Sequence, residues 1–262
     1  MLETSLNHMT GLMKSMKSTI ASTLAAGALL SLSAQAAIIY QDDFNFSGSL
    51  NGRTPNQTTG SNWTAFGTWT GNGASITPGE ANRSAYLPFV PQSGMIYELT
   101  AGMSNASGSA TTWISLGFSE SGTPPSNNNF TSGGIATVIL RDNSLNQTYA
   151  GSGVANSSGS LNFPTFVANT FYEYKVVLNT TGANWTYDVY RDGVQLDVNG
   201  GAAGLTYTWS SGNPTIGSVL LSNNTASSSA RYDYFRLEAI PEPSSVLSLA
   251  AAGLLGLLRR RR

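Results

Sequence analysis

The 262-residue sequence contains no cysteine and a single histidine, His8. Without cysteine there is no disulfide framework, no thiolate nucleophile and no Cys-bearing zinc site. With the one histidine this close to the N-terminus, a Ser-His-Asp triad in a folded core is excluded as well. Charge is also scarce: Asp, Glu, Lys and Arg make up 10% of the chain, against roughly 25% in average soluble proteins. Ser, Thr and Asn fill that place. Hydrophobic residues still reach 40%, so the chain has both the length and the apolar content to bury a core.

The two ends differ from the middle. Lys14 and Lys17 precede an apolar run from Ile20 to Leu32, and Ala34-Gln35-Ala36 follows it. Basic, apolar and small-residue regions in that order predict a secretory signal peptide over residues 1–36, cleaved between Ala36 and Ala37. Its partners are signal peptidase and the export machinery. Residues before Lys14 are unusual for a signal, so Met13 or Met16 is an alternative start. His8 lies in this leader, which leaves the mature chain without histidine.

At the other end Pro241-Glu242-Pro243 precedes an apolar stretch, Val246 to Leu258, and then Arg259, Arg260, Arg261 and Arg262. These thirteen residues as a helix span roughly 20 Å, short of the ~30 Å hydrocarbon core, and flanking serines and snorkelling arginines close part of the gap. The arginines hold this transmembrane helix with its end in the cytoplasm and the bulk of the chain outside. From Ile240 to Arg262 the segment resembles a PEP-CTERM sorting signal. The resemblance implies recognition of Pro241-Glu242-Pro243 by exosortase, a membrane-embedded transpeptidase, followed by cleavage and transfer to the cell surface or extracellular matrix, with passage through the inner membrane on the way.

Between the ends, residues 37–239 read as one all-β domain. The stretch 37–240 carries seven basic and twelve acidic side chains, a net charge of −5. An acidic core with no basic stripe argues against nucleic acid as a partner. Phe171–Leu178, Trp185–Tyr190 and Arg231–Leu237 alternate apolar and polar residues with period two, the pattern of half-buried strands. Asp192-Gly193 suits a two-residue hairpin, because both positions accept positive φ. Further strands are predicted at 38–44, 63–69, 84–89, 96–103, 112–118, 135–141, 205–209 and 216–222. Turns are predicted at 151–159 and 121–129. About eleven short strands with no fixed repeat predict an antiparallel β-sandwich.

The first strand with Asp42-Asp43-Phe44, the segment Trp113–Phe118, the hairpin at Asp192-Gly193 and the closing Tyr232-Asp233-Tyr234-Phe235 give a layout that resembles concanavalin-like (laminin-G-like) jelly rolls. The resemblance implies that the first and last strands lie side by side. It also implies a structural calcium ion away from the ligand site, for which Asp43 and Asp233 are the candidates, since Ca²⁺ takes six to eight oxygen ligands. Laminarinase-like enzymes of this fold carry Glu-x-Asp-x-Glu on one strand, three acids on one face. No such motif occurs here, and the chain is expected not to be an enzyme. Glycan binding needs aromatic platforms. Trp113 and Trp185 fall within alternating strands and are expected inside, which leaves Trp63, Trp69 and Trp209, near Asn/Thr/Gly-rich turns, as candidates for a surface patch. The expected function is that of an exported, exosortase-sorted surface or matrix protein with extracellular polysaccharide as its ligand. The alternatives are a polysaccharide-cleaving enzyme of concanavalin-like fold and a purely structural surface protein.

Overall fold

The computed structural model describes residues 35–58, 60–106, 112–122, 133–141, 147–151, 154–158, 167–199, 204–224 and 230–242. Residues 1–34 of the leader, Ala34 included, most of the predicted turn 121–129, Pro243, the expected transmembrane helix 246–258 and Arg259–Arg262 lie outside them. Among the described residues there is no helix, and so none long and apolar enough to cross a membrane. Residues 36–240 form one compact unit.

Its strands, in chain order, are β1 (Ala37–Asp42), β2 (Ser47–Ser49), β3 (Gln57–Thr58), β4 (Thr64–Ala65), β5 (Trp69–Asn72), β6 (Ile76–Pro78), β7 (Arg83–Pro88), β8 (Met95–Asn105), β9 (Ile114–Ser119), β10 (Gly134–Leu140), β11 (Gln147–Gly151), β12 (Val154–Ser158), β13 (Tyr172–Asn179), β14 (Thr186–Arg191), β15 (Val194–Leu196), β16 (Tyr207–Thr208), β17 (Ser218–Asn223) and β18 (Ala230–Pro241). The larger sheet runs β15-β14-β13-β8-β18-β6-β5-β2, with β1 also on β18, β3 on β1 and β16 on β14. The smaller runs β12-β11-β10-β9-β17-β7-β4. The expected all-β antiparallel sandwich is therefore the fold, and its first and last strands pair, Ala37 opposite Ala239 and Asp42 opposite Phe235.

Period-two alternation decides which side chains enter the core. On β13, Tyr172, Tyr174, Val176 and Leu178 are buried, while Glu173, Lys175, Val177 and Asn179 point outward. β14 answers with Tyr187 and Val189 inside. Phe118, Leu116, Val219 and Leu221 of the smaller sheet complete the opposite wall. One side chain ties the walls together by hydrogen bonding. The Tyr232 hydroxyl, from β18, reaches the carbonyls of Ser115 and Ser222, both at 2.9 Å, and accepts the Ser115 N–H at 3.2 Å. Burial holds this hydroxyl well above the usual phenol range, and the two carbonyls it faces only partly offset that.

Two local expectations need correction. The predicted strand 63–69 is two pieces in different sheets: β4 pairs with β7 and β5 with β6. Gly67, at φ +69°, turns the chain from one layer to the other. The predicted turn 151–159 contains β12, which pairs with β11 from Gln147↔Ser158 to Gly151↔Val154. Its Gly- and Ser-rich composition masks a strand.

Candidate functional site

The aromatic patch expected from Trp63, Trp69 and Trp209 does not form. Trp63 and Trp69 are each 1% exposed and Trp209 8%. Each indole N–H has an internal acceptor: Asp42 Oδ2 for Trp63 at 2.9 Å, the Phe66 carbonyl for Trp69 at 3.1 Å, and the Ala150 carbonyl for Trp209 at 3.2 Å. These are core tryptophans that close the edge of the sandwich. Trp113 is also buried, beside Ile139 and Tyr149. Trp185, expected inside, is only half-buried and packs on the rim of the core.

The acid that organises this corner is Asp42, fully buried at the end of β1. Besides Trp63, its carboxylate accepts the Phe44 N–H at 3.1 Å, and Arg53 Nε lies 3.7 Å away. Burial raises its pKa, and the two hydrogen bonds and the guanidinium oppose that. Asp42 is thus a structural hub that holds the chain where it leaves β1, with Phe44 at φ +50°.

Asp43 and Asp233, the calcium candidates, are not brought together as ligands. Asp43 is exposed and accepts a hydrogen bond from Gln41 at 3.3 Å, back along β1. Asp233 leans the other way, toward β8, where its carboxylate lies against the backbone of Gly102. Among the described residues no group of three or more His, Cys, Asp or Glu side chains is placed to hold a metal. A calcium ion needs more oxygen ligands than two carboxylates leaning apart supply.

Asp233 belongs instead to a polar, tyrosine-bearing array on the outer face of the larger sheet. The pairing sets its rows. Glu173 opposes Gly102, Lys175 opposes both Thr100 and Tyr190, Val177 opposes Glu98 and Asp188, and Tyr190 opposes Gln195. On β18 the buried positions change parity between Tyr232 and Phe235, so Asp233 and Tyr234 both face outward. Both sit over Gly102, where any side chain would collide with them. Tyr234 donates to Glu173 Oε2 at 2.6 Å. Lys175 reaches both Glu98 oxygens at 3.2 Å and lies 5.2 Å from the Tyr190 ring centre. Asp188 accepts from Gln195 at 2.8 Å and from Thr206 at 2.5 Å. Partial burial raises the pKa of Asp233 and of Tyr190. Tyr234 is pushed above the phenol range by burial first, then by its bond to Glu173 and the nearby negative charge.

This array was half legible. Glu173, Lys175, Asp188 and Tyr190 are the outward members of the two strands whose alternation is plain in the sequence. Tyr234 was hidden, because strict alternation from Tyr232 would turn it inward.

The sorting residues divide at the edge of the described chain. Pro241 ends β18 and Glu242 follows it, both partly exposed, while Pro243 lies beyond. Ala36 and Ala37, at the expected signal cleavage point, are exposed at the start of β1.

The family model for the PEP-CTERM protein-sorting motif matches residues 239–262. The chain therefore ends in a sorting motif that implies export and exosortase processing. No curated protein matches it in sequence. Solved structures with similar chain courses include the metal-free carbohydrate recognition domain of Emp46p, at 14% identity and a TM-score of 0.47, covering 74% of this chain and 96% of that one. Another is an endo-1,3-β-glucanase from Streptomyces sioyaensis, at 14% identity and TM-score 0.47, covering 79% and 97%. A third, from Bacillus subtilis, is described as a protein of unknown function with a galectin-like fold, at 11% identity and TM-score 0.47, covering 79% and 98%.

Proposed function

We propose that the protein is a non-enzymatic, exported surface or matrix component that binds a neutral, hydroxyl-rich polysaccharide on the outer face of its larger sheet. The observation that carries this reading is the array around Tyr190 and Tyr234. It combines two partly exposed aromatic rings with carboxylates, an amide and an ammonium group already fixed by hydrogen bonds to one another. Such fixed donors and acceptors beside a ring suit sugar hydroxyls above and sugar C–H faces alongside. Glu98, Glu173, Asp188, Asp192 and Asp233 outnumber Lys175, Arg191 and Arg231 there, which disfavours uronic-acid or sulfated chains.

A polysaccharide-cleaving enzyme is the competing reading. Glu173 and Asp233 flank Gly102 from two neighbouring strands, a placement that offers two carboxyl groups across one strand. Glycoside hydrolysis also needs the sugar enclosed between an acid and a base or nucleophile. Two clefts formed by described residues carry no carboxylate in their walls.

The test is affinity electrophoresis of the mature protein through gels of neutral and anionic polysaccharides, with a reducing-end assay on the same samples. Retardation by a neutral polymer, weakened about tenfold by Tyr190→Ala (about 1.4 kcal/mol), is expected. Retardation by no polymer, or binding unchanged in that variant, would overturn the reading. New reducing ends would replace it with the enzyme.

A further inference from the structure

One end of the sandwich carries an apolar cleft that is held in place. β7 ends there at Pro88, β8 begins at Met95, β1 begins at Ala37 and β18 ends at Pro241. Between β7 and β8 the chain runs Pro88-Phe89-Val90-Pro91. Val90 is 74% exposed, the most exposed of the large hydrophobic residues described. Beside it opens a cleft of about 300 Å³ walled by Ile39, Phe89, Met95, Tyr97 and Ala239, with no charged side chain in its lining. The connection is pinned rather than loose. Phe89 N–H donates to Gly217, Gly94 N–H to Thr180, and Gln92 N–H to the Tyr97 hydroxyl at 2.7 Å.

The sorting tail leaves from this same end. Pro241 closes β18, and the apolar run starts at Val246. Five extended residue steps cover at most about 18 Å. If the tail lies in the bilayer, the end bearing Val90 is therefore held within reach of the headgroups by the chain itself. The far end differs. Exposed Val194 there sits on the β14–β15 hairpin beside the charged Asp192.

Resting on the reading of 239–262 as a membrane-held sorting tail, we propose that Val90, with Pro88, Ile39 and Met95 around the cleft, is a membrane-facing foot: before exosortase cleavage this end lies in the lipid headgroup layer and orients the sandwich with its β14–β15 hairpin outward. A small apolar patch binds a bilayer poorly by itself, but tethering makes the contact intramolecular.

The chain has no cysteine, so Val90→Cys and Val194→Cys each supply one thiol for an environment-sensitive fluorophore. The full-length precursor, made without exosortase, is reconstituted into phosphatidylethanolamine–phosphatidylglycerol vesicles. At position 90 the emission is expected to shift to the blue and to lose intensity when headgroup-labelled quencher lipid is included, while position 194 does neither. An alkaline-resistant, vesicle-bound precursor with position 90 in water overturns the foot and leaves the tail reading standing. A precursor that does not associate with vesicles overturns both. An equal blue shift in the chain truncated after Pro243, without vesicles, assigns the patch to contact between copies and overturns the lipid.

Discussion

At the scale of single residues, two buried polar groups differ in how well they are satisfied. Asp42 serves Trp63, Phe44 and Arg53 at once, yet desolvation dominates and raises its pKa above the ordinary 3.8. A carboxyl with a raised folded-state pKa keeps its proton in the native state after the unfolded chain has lost it. Its contribution is most favourable below 3.8 and is lost as pH rises through the folded value. Relative to Asp42→Asn, the wild type should therefore gain unfolding free energy as pH falls from 7 toward 4. Paired urea titrations across that range check this, and a difference independent of pH would refute it. Tyr232 and Tyr174 make a second contrast. Tyr232→Phe leaves the Ser115 N–H without the hydroxyl it donates to, at a cost of about 1–3 kcal/mol. The buried Tyr174 hydroxyl makes no hydrogen bond of good geometry among the described residues; burial raises its pKa, and the Arg191 guanidinium beside it partly offsets that. Tyr174→Phe should be neutral or stabilising. Midpoints of thermal unfolding for the two variants decide it.

At the scale of elements, the β14–β15 hairpin was legible because its chemistry is local. Asp192 and Gly193 adopt φ +49° and +80°, the pair of positive values a tight right-twisting turn requires. A methyl on Gly193 would meet nothing within 4 Å, so the cost of Gly193→Ala is backbone strain alone, about 1–2 kcal/mol. Urea unfolding should show that loss with an unchanged m-value. A change in m would mean that more than the turn had moved. β13, β14 and β18 were legible for a similar reason: long runs with strict alternation state their own inner face. β2, β3 and β6 were not, because two or three residues are too few to show a period and are strands only through their neighbours. The tryptophans misled for a tertiary reason. Turn-like surroundings suggested exposure for Trp63 and Trp69, but the segment between them crosses from one sheet to the other, and a crossing chain faces the core. No local signal marks Asp42 as the acceptor for Trp63, twenty-one positions away.

At the scale of the whole molecule, the pairing of β1 with β18 brings the two processing points to one end of the fold. Ala37, first after the expected signal cleavage, lies opposite Ala239, and Pro241 follows two residues later. Neither cut need remove a residue of that register, provided the second falls at or beyond Pro241. The mature chain is therefore expected to start near Ala37, to end between Pro241 and Pro243, and to unfold at the same temperature as its precursor. Replacing Pro241-Glu242-Pro243 by alanines removes the recognition sequence without touching a paired position of β1. It should leave a heavier form that retains Arg259–Arg262 and stays in the membrane fraction. Intact mass spectrometry of membrane, surface and medium fractions from the native host reads both outcomes. An alanine variant with the mature mass and location of the wild type would show that the tail is not read through this motif. A wild type that keeps its four arginines would make the protein a plain anchored ectodomain, with its sandwich held permanently at the bilayer instead of released to a matrix.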